Sequence, residues 1–201
     1  MPSNRAPSIG ICGWIVVVGW AVAFVMVMGG IVDRARAKTE VFQLYGLGGK
    51  VFSSGQDTLA ETLRKKGAKV RPIYQFYEWQ QVVEDIKKVP AGRRIVVVGN
   101  SNGGNAATWV QAATKRKIHY LQVQDPTIWL PMSPIGKHVS RADCVWNVNP
   151  FSALIPVGHR RCELVPGYPQ KRFKEIKTWA AHTYVDKDPT NHARVVEQVA
   201  N

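Results

Sequence analysis

The sequence predicts an α/β fold, a mostly parallel sheet of about six strands flanked by helices and preceded by a transmembrane helix. Three observations predict it. Strand-like and helix-like segments alternate from Val41 to the end of the chain, the order that a parallel sheet with crossover helices requires. The stretch "RRIVVVG" (Arg93–Gly99) is almost continuously apolar, as a strand covered on both faces must be. The run "IGICGWIVVVGWAVAFVMVMGGIV" (Ile9–Val32) carries no charge over about 24 residues, where a helix needs about 20 apolar residues to cross a bilayer.

That run makes residues 1–38 a single-pass membrane anchor. A buried core helix and a cleaved signal peptide compete with this reading. Ala35-Arg36-Ala37 has the small-x-small form of a cleavage site, and cleavage there would leave the remainder secreted. Against cleavage, the run exceeds the roughly 7–15 residues of a signal-peptide core, and Asp33, Arg34 and Arg36 crowd the cleavage region. Arg34, Arg36 and Lys38 follow the run, and Arg5 and the amino terminus precede it. By the positive-inside rule this leans the following domain toward the cytoplasm, with a signal anchor of the opposite sense as the alternative.

Residues 39–201 are long enough for one domain with a sizeable core. "VFQLY" (Val41–Tyr45) is a short apolar strand that runs into "GLGG". "QDTLAETLRKKG" is a helix that Asp57 or Thr58 can cap, with Leu59 and Leu63 on one face and Gly67 as its stop. "AKVRPIYQF" is a second strand, and Pro72 puts it at a sheet edge because proline cannot donate to a ladder. "WQQVVEDIKKV" is a second helix, with Trp79, Val82, Val83 and Ile86 at i, i+3, i+4 and i+7 and with Pro90 and Gly92 beyond its end. "RRIVVVG" is the third strand. The helix "AATWVQAATK" follows, with Ala106, Trp109, Val110 and Ala113 as its buried stripe. "IHYLQVQ" is the fourth strand and leads into the Pro-rich loop "DPTIWLPMSPIG"; "ADCVWNVN" and "FKEIKTWA" are the fifth and sixth, and "DPTNHARVVEQVAN" is the closing helix. Ligands of such sheets bind beyond the carboxyl ends of the strands. Gly46–Gly49, Ser101, Asp125 and His182 all fall there.

The formal net charge is +13. Most lysines and arginines stand at predicted helix ends or just before strands, where they complement helix C-termini and stay solvated. Beside an anchor they also suit an anionic membrane surface. The chain has no nucleic-acid motif and no interleaving of aromatic with basic residues, so no nucleic-acid partner is expected. Cys144 and Cys162 fit either a disulfide in an exported domain or two buried thiols, Cys12 lies in the apolar run, and no His/Cys spacing suggests a metal.

Gly99-Asn100-Ser101-Asn102-Gly103 reads G-x-S-x-G between a strand and a helix. A serine on such a turn is exposed at the top of a sheet, and the flanking glycines let strand and helix approach without a clash. A Gly-rich loop that caps a helix or binds a phosphate is the bland alternative. A serine hydroxyl needs a base to take its proton. His182, after the last strand and before the last helix, is the candidate; His119 starts a strand on the far side of the sheet, His138 and His159 lie in loops, and His192 lies in the last helix. The base needs an orienting acid. Asp125 ends the strand after the nucleophile helix, and Pro126 stops that strand there. Asp143 starts its strand and faces the other way, Asp186 and Asp188 read as helix caps, and Asn147 and Asn149 lack a charge. An oxyanion needs backbone N–H groups: one from Asn102, the other from "YGLGGK", where Gly46, Gly48 and Gly49 expose the backbone and Leu47 or Gly48 is the donor. The competing reading of that loop is a dinucleotide site, against which Val51 stands where the third glycine is needed and Lys69 and Arg71 stand where the acid is expected.

On "YGLGG", "VVVGNSNGG", "VQDPT" and "AAHTYVDKDP" the chain resembles the α/β-hydrolase superfamily over about Val41 to Asn201, and looks like its small lipase and thioesterase-like members. The placing of Asp-Pro after the strand that follows the nucleophile helix is similar to the pancreatic-lipase type of triad. The resemblance implies Ser101 as nucleophile, Asp125 as acid, His182 as base, Leu47 and Asn102 as oxyanion donors, and no cofactor. Two departures stand out: the first strands of the full hydrolase sheet are missing, and the segment between the fourth and fifth strands is too short for a large lid. The expected activity is hydrolysis of a carboxylic ester or thioester, with a small-molecule or lipid acyl ester as substrate. Trp129, Leu130, Pro131 and Met132 line an acyl pocket or pack as plain core. The rival expectation is a membrane-tethered binding module that keeps the fold without turnover.

Overall fold

The computed structural model describes residues 39–149 and 160–200. The apolar run, its flanking charges, the Ala35-Arg36-Ala37 motif and His159 lie outside the described residues. Among the described residues, no helix is long and apolar enough to cross a membrane.

The elements are β1 (Thr39–Tyr45), α1 (Gly55–Lys65), β2 (Lys69–Val70), β3 (Tyr74–Gln75), α2 (Trp79–Lys87), β4 (Arg94–Asn100), α3 (Asn102–Ala113), β5 (Tyr120–Gln124), β6 (Ala142–Asn147), β7 (Phe173–Thr178) and α4 (Pro189–Ala200). The strands form a seven-stranded sheet in the order β2-β1-β4-β5-β6-β7, with β3 also on β1, and every ladder is parallel. The count exceeds the expected six because Pro72 divides the second strand. Its two pieces pair with the two ends of β1, on the outer edge where proline costs no ladder bond. The register aligns the strand ends: Leu44 sits beside Gly99, Asn100 beside Gln124, Gln124 beside Val145 and Asn147 beside Thr178. The loops after β1, β4, β5 and β7 therefore leave the sheet side by side.

The alternation of β1 and β4 divides two cores. Phe42, Leu44, Ile95 and Val97 pack with Val82 and Ile86 of α2 and Ala106, Ala107 and Val110 of α3. Val41, Val96 and Val98 pack with Leu59 and Leu63 of α1 and Val195 of α4. Each fully buried side chain of this size stabilises by about 1.5–3 kcal/mol. The stripe of α3 differs from expectation: Gly103, Ala106, Ala107, Val110 and Gln111 are buried, so the covered face is turned away from Ala113, which is exposed, and Trp109 is half-buried against Trp79.

The second core also holds a row of buried amides. The Gln43 amide donates to Gln56 Oε1 (2.9 Å), Gln56 to Gln124 Oε1 (2.8 Å), Gln124 to Gln122 Oε1 (2.7 Å) and Gln122 to the Asn191 carbonyl (3.2 Å). This row ties β1, α1, β5 and α4 together. Each amide donor in it has a partner, as burial requires. The cap of α1 is another departure. The helix begins at Gly55, ahead of Asp57 and Thr58, and the Gly55 N–H donates to Asp186 Oδ2 at 2.8 Å from the far end of the chain. Cys144 of β6 and Cys162 are joined in a disulfide.

Candidate active site

Ser101 closes the turn between β4 and α3 with φ 56° and ψ −128°, a region that costs a non-glycine residue energy and is held only by its surroundings. Those surroundings are the Ser101 N–H on the Gln124 carbonyl (2.8 Å) and the Ser101 carbonyl accepting from Gly104 N–H (2.8 Å). A Cβ on Gly99 would run into the Gly103 carbonyl, and one on Gly103 into the carbonyls of Leu44 and Tyr45. The two glycines allow α3 to start directly above the sheet.

His182 lies in a short 3-10 segment after β7. Its Nε2 is 2.8 Å from Ser101 Oγ and its Nδ1 is 2.7 Å from Asp125 Oδ2. Asp125 is fully buried at φ 41°. Its N–H donates to the Val145 carbonyl (2.6 Å) and its Oδ1 accepts the Asn147 N–H (3.0 Å). The structure thus brings Ser101, His182 and Asp125 into one hydrogen-bonded row, which Asn147 joins through its backbone N–H, and it holds the other described histidines on other partners. His119 Nδ1 accepts the Ile95 N–H, His138 Nε2 meets the Gln111 carbonyl, and His192 Nε2 meets the Asp186 carbonyl. Burial lowers the pKa of both His119 and His192. Asp143 lies 3.8 Å from Arg194, and Asp188 caps α4 through Thr190 N–H (2.8 Å). Among the described residues, no cluster of His, Cys, Asp and Glu could hold a metal ion.

The glycine loop after β1 reaches the same point. A Cβ on Gly46 would fall 2.7 Å from Ser101 Cβ and 3.2 Å from its Oγ. The Gly46 N–H is used by Ser53 Oγ (3.2 Å), which also accepts from the Asn100 amide (3.3 Å). Ser53 therefore joins this loop to Asn100, the residue before Ser101. Gly48 and Gly49 both take positive φ, and Leu47 is exposed. Asn102 opens α3, so its N–H has no intrahelical acceptor.

No protein-family model matches the sequence, and no curated protein matches it. Among solved structures, the chain is similar to Est1E from Butyrivibrio proteoclasticus, at 14% identity over 83% of this chain and 90% of that chain, with a TM-score of 0.52. It is similar also to the thioesterase domain from the curacin biosynthetic pathway, at 11% identity over 81% of this chain and 91% of that chain, with a TM-score of 0.51. The chain has the α/β-hydrolase fold. Within that α/β-hydrolase frame, several positions beside the site had no signal in the sequence. The Asn102 side chain accepts from Thr127 Oγ1 (2.7 Å), and Asn105 bonds both ways with the Thr127 backbone (2.8 and 3.0 Å), which fastens the loop after Asp125 to the start of α3. The expected acyl-pocket stretch divides: Met132 packs on the core, the Leu130 and Pro131 carbonyls accept from Asn105 and Trp109, and Trp129 is exposed.

Trp129 belongs to a wider pattern. The strongly exposed large hydrophobic side chains among the described residues are Leu47, Val51 and Phe52 after β1, Tyr77 after β3, Ile128 and Trp129 after β5, and Trp179 and Tyr184 after β7. All stand on loops at the carboxyl edge, around Ser101. An apolar rim concentrated in one place marks a binding surface rather than scattered exposure.

Asp186, four residues after His182, is fully buried. Burial pushes its carboxyl up to about 6, against the opposing pull of the Gly55 N–H and Lys187. The fold thus favours the protonated form, so this group's stabilisation is greatest at acid pH and is lost as pH rises through about 4 to 6. Ionising it in place costs on the order of 3 kcal/mol. Asp186→Asn keeps an acceptor for Gly55 and cannot ionise. Denaturant midpoints measured from pH 5 to 8 should show a flatter pH dependence and a variant at least as stable as the parent at pH 8. A variant with the parent's slope would place the titration elsewhere.

Proposed function

We propose that this protein is a serine hydrolase of carboxylic esters or thioesters, held at a membrane by its N-terminal segment. The observation that carries the reading is the unbroken row Ser101 Oγ, His182 Nε2, His182 Nδ1, Asp125 Oδ2, with contacts of 2.8 and 2.7 Å. With Nδ1–H donated to Asp125, Nε2 presents its lone pair to the serine hydroxyl. As Ser101 Oγ attacks the carbonyl carbon, Nε2 takes the hydroxyl proton. The oxyanion that forms is met by the N–H groups of Asn102 and Leu47 and by the positive end of α3. Collapse of the tetrahedral species breaks the bond to the alcohol or thiol, which receives the proton from Nε2. Water, deprotonated by the same nitrogen, then releases the acid and restores Ser101. The apolar rim supports a substrate whose acyl or leaving group is itself apolar.

The Cys144–Cys162 disulfide supports an oxidising compartment for the domain, since such bonds are rare where glutathione keeps thiols reduced. It weighs against the cytoplasmic side suggested by Arg34, Arg36 and Lys38.

A fluorophosphonate probe tests the mechanism, because it phosphonylates only a serine whose base has activated it. The full chain should label stoichiometrically and Ser101→Ala should not label. A folded wild-type chain that takes no label would exclude the hydrolase and leave a binding module with this fold.

A further inference from the structure

The two edges of the sheet differ in kind. The carboxyl edge carries the apolar rim. The amino edge, where strands begin, carries Lys66, Lys115, Lys117, Arg141, Lys171 and Arg172, all exposed. None of these six has an ion-pair partner among the described residues. Of the acids at that edge, Asp143 is buried at the start of β6, 3.8 Å from Arg194 and in the field of Arg141. Glu40 is buried beneath Lys69, Arg71 and Arg93, and Glu61, Glu84 and Asp85 each hold a lysine of their own helix. Helix dipoles account for cations such as Lys66 at the end of α1. They do not account for Arg141, Lys171 and Arg172, which precede β6 and β7 and follow no α-helix.

We propose that this amino edge docks on an anionic phospholipid surface, so that the mouth at Ser101 opens away from the bilayer. The cations lie along the starts of strands spaced about 5 Å apart, a row suited to a plane of headgroups rather than to one small anion. Each basic residue brought to such a surface strengthens binding about fivefold. The exposed aromatic side chains that single-stranded nucleic acid would stack on are all at the opposite edge. β1 also begins on the basic edge, at Thr39. From Arg94 to Ser101 the strand rises about 23 Å, more than two Debye lengths at physiological salt. A lipid of that surface therefore lies out of reach of Ser101. On the hydrolase reading above, the substrate is an apolar acyl ester that arrives from the side facing away from the bilayer.

The test is a lysine footprint. The full chain is placed in nanodiscs of phosphatidylcholine, with or without phosphatidylglycerol, acylated with a water-soluble succinimidyl ester and read by mass spectrometry. Co-elution with neutral discs reads the anchor, and fluorophosphonate labelling in the same discs reads Ser101, so failure of either is seen separately. A chain that does not insert is added to the discs from outside. The expected result is that anionic lipid slows acylation of Lys66, Lys115, Lys117 and Lys171 at least threefold and leaves Lys50 and Lys187, on the carboxyl edge, unchanged, with the effect lost at about 0.5 M salt. Lys115→Gln with Lys117→Gln should weaken the protection of Lys66 and Lys171. Slowing at Lys50 and Lys187 instead would overturn the proposal by turning the mouth to the lipid. Unchanged rates throughout, or protection by an RNA duplex and not by anionic discs, would overturn it as well.

Discussion

His182→Ala should lower kcat for a short-chain ester by about 10⁶, with KM little changed, and should abolish fluorophosphonate labelling. The size follows from the lack of a substitute among the described residues. Among the described residues, the Ser101 hydroxyl has one basic nitrogen within reach, at 2.8 Å. His119, His138 and His192 are each held by a backbone group elsewhere. On the proposed reading, substrate binding rests on the rim and the glycine loop rather than on the imidazole, so the loss belongs in kcat. Removing the imidazole also strips the buried Asp125 carboxylate of a partner, which destabilises by several kcal/mol if nothing replaces it. His182→Gln, which can still donate toward Asp125, separates loss of base from loss of fold. Unfolding curves of both variants, read beside their rates, decide the matter. A folded variant that kept a tenth of the activity would remove His182 from the mechanism.

The positions of Ser101, Asp125 and His182 were legible because each is set by local grammar. A central apolar strand has to stop, and what stops it is short-range: a glycine turn after Val98, an Asp-Pro after Gln124, a polar turn after Thr178. The parallel register then aligns the three stops, and the order of strands was enough to expect that. What the sequence hid is what depends on distant partners. Asp186 reads as a cap for the helix beside it, yet it caps α1, because packing places the turn after β7 over Gly55. No periodicity shows that Gln43, Gln56, Gln122 and Gln124 bond to one another. Ser53, which no motif singles out, is the link between Gly46 and Asn100. The apolar rim is scattered over four loops in sequence and becomes one surface only when the strands lie in order.

Asp125→Asn should leave the fold intact and lower kcat by about 10⁴ at neutral pH. The substitution changes almost nothing in shape. The positive φ at this position suits asparagine, the backbone bond to Val145 remains, and the amide oxygen can take over the Asn147 N–H that Oδ1 accepts now. The amide nitrogen then points where Oδ2 points now, at His182 Nδ1. A donor there needs an acceptor, so the imidazole must move its proton to Nε2. That nitrogen faces Ser101 and, once protonated, can no longer take the serine proton. The fault lies in the tautomer rather than in position, which makes the prediction specific. Circular dichroism and the denaturation midpoint should match those of the parent within about 1 kcal/mol, since the site keeps its packing and its bonds to Asn147 and Val145. The phosphonylation rate should fall with kcat, because the probe depends on the same base. A rate loss of less than tenfold in a folded variant would mean that Asp125 does not orient His182, and that the 2.7 Å contact is packing at the end of β5 rather than part of the chemistry.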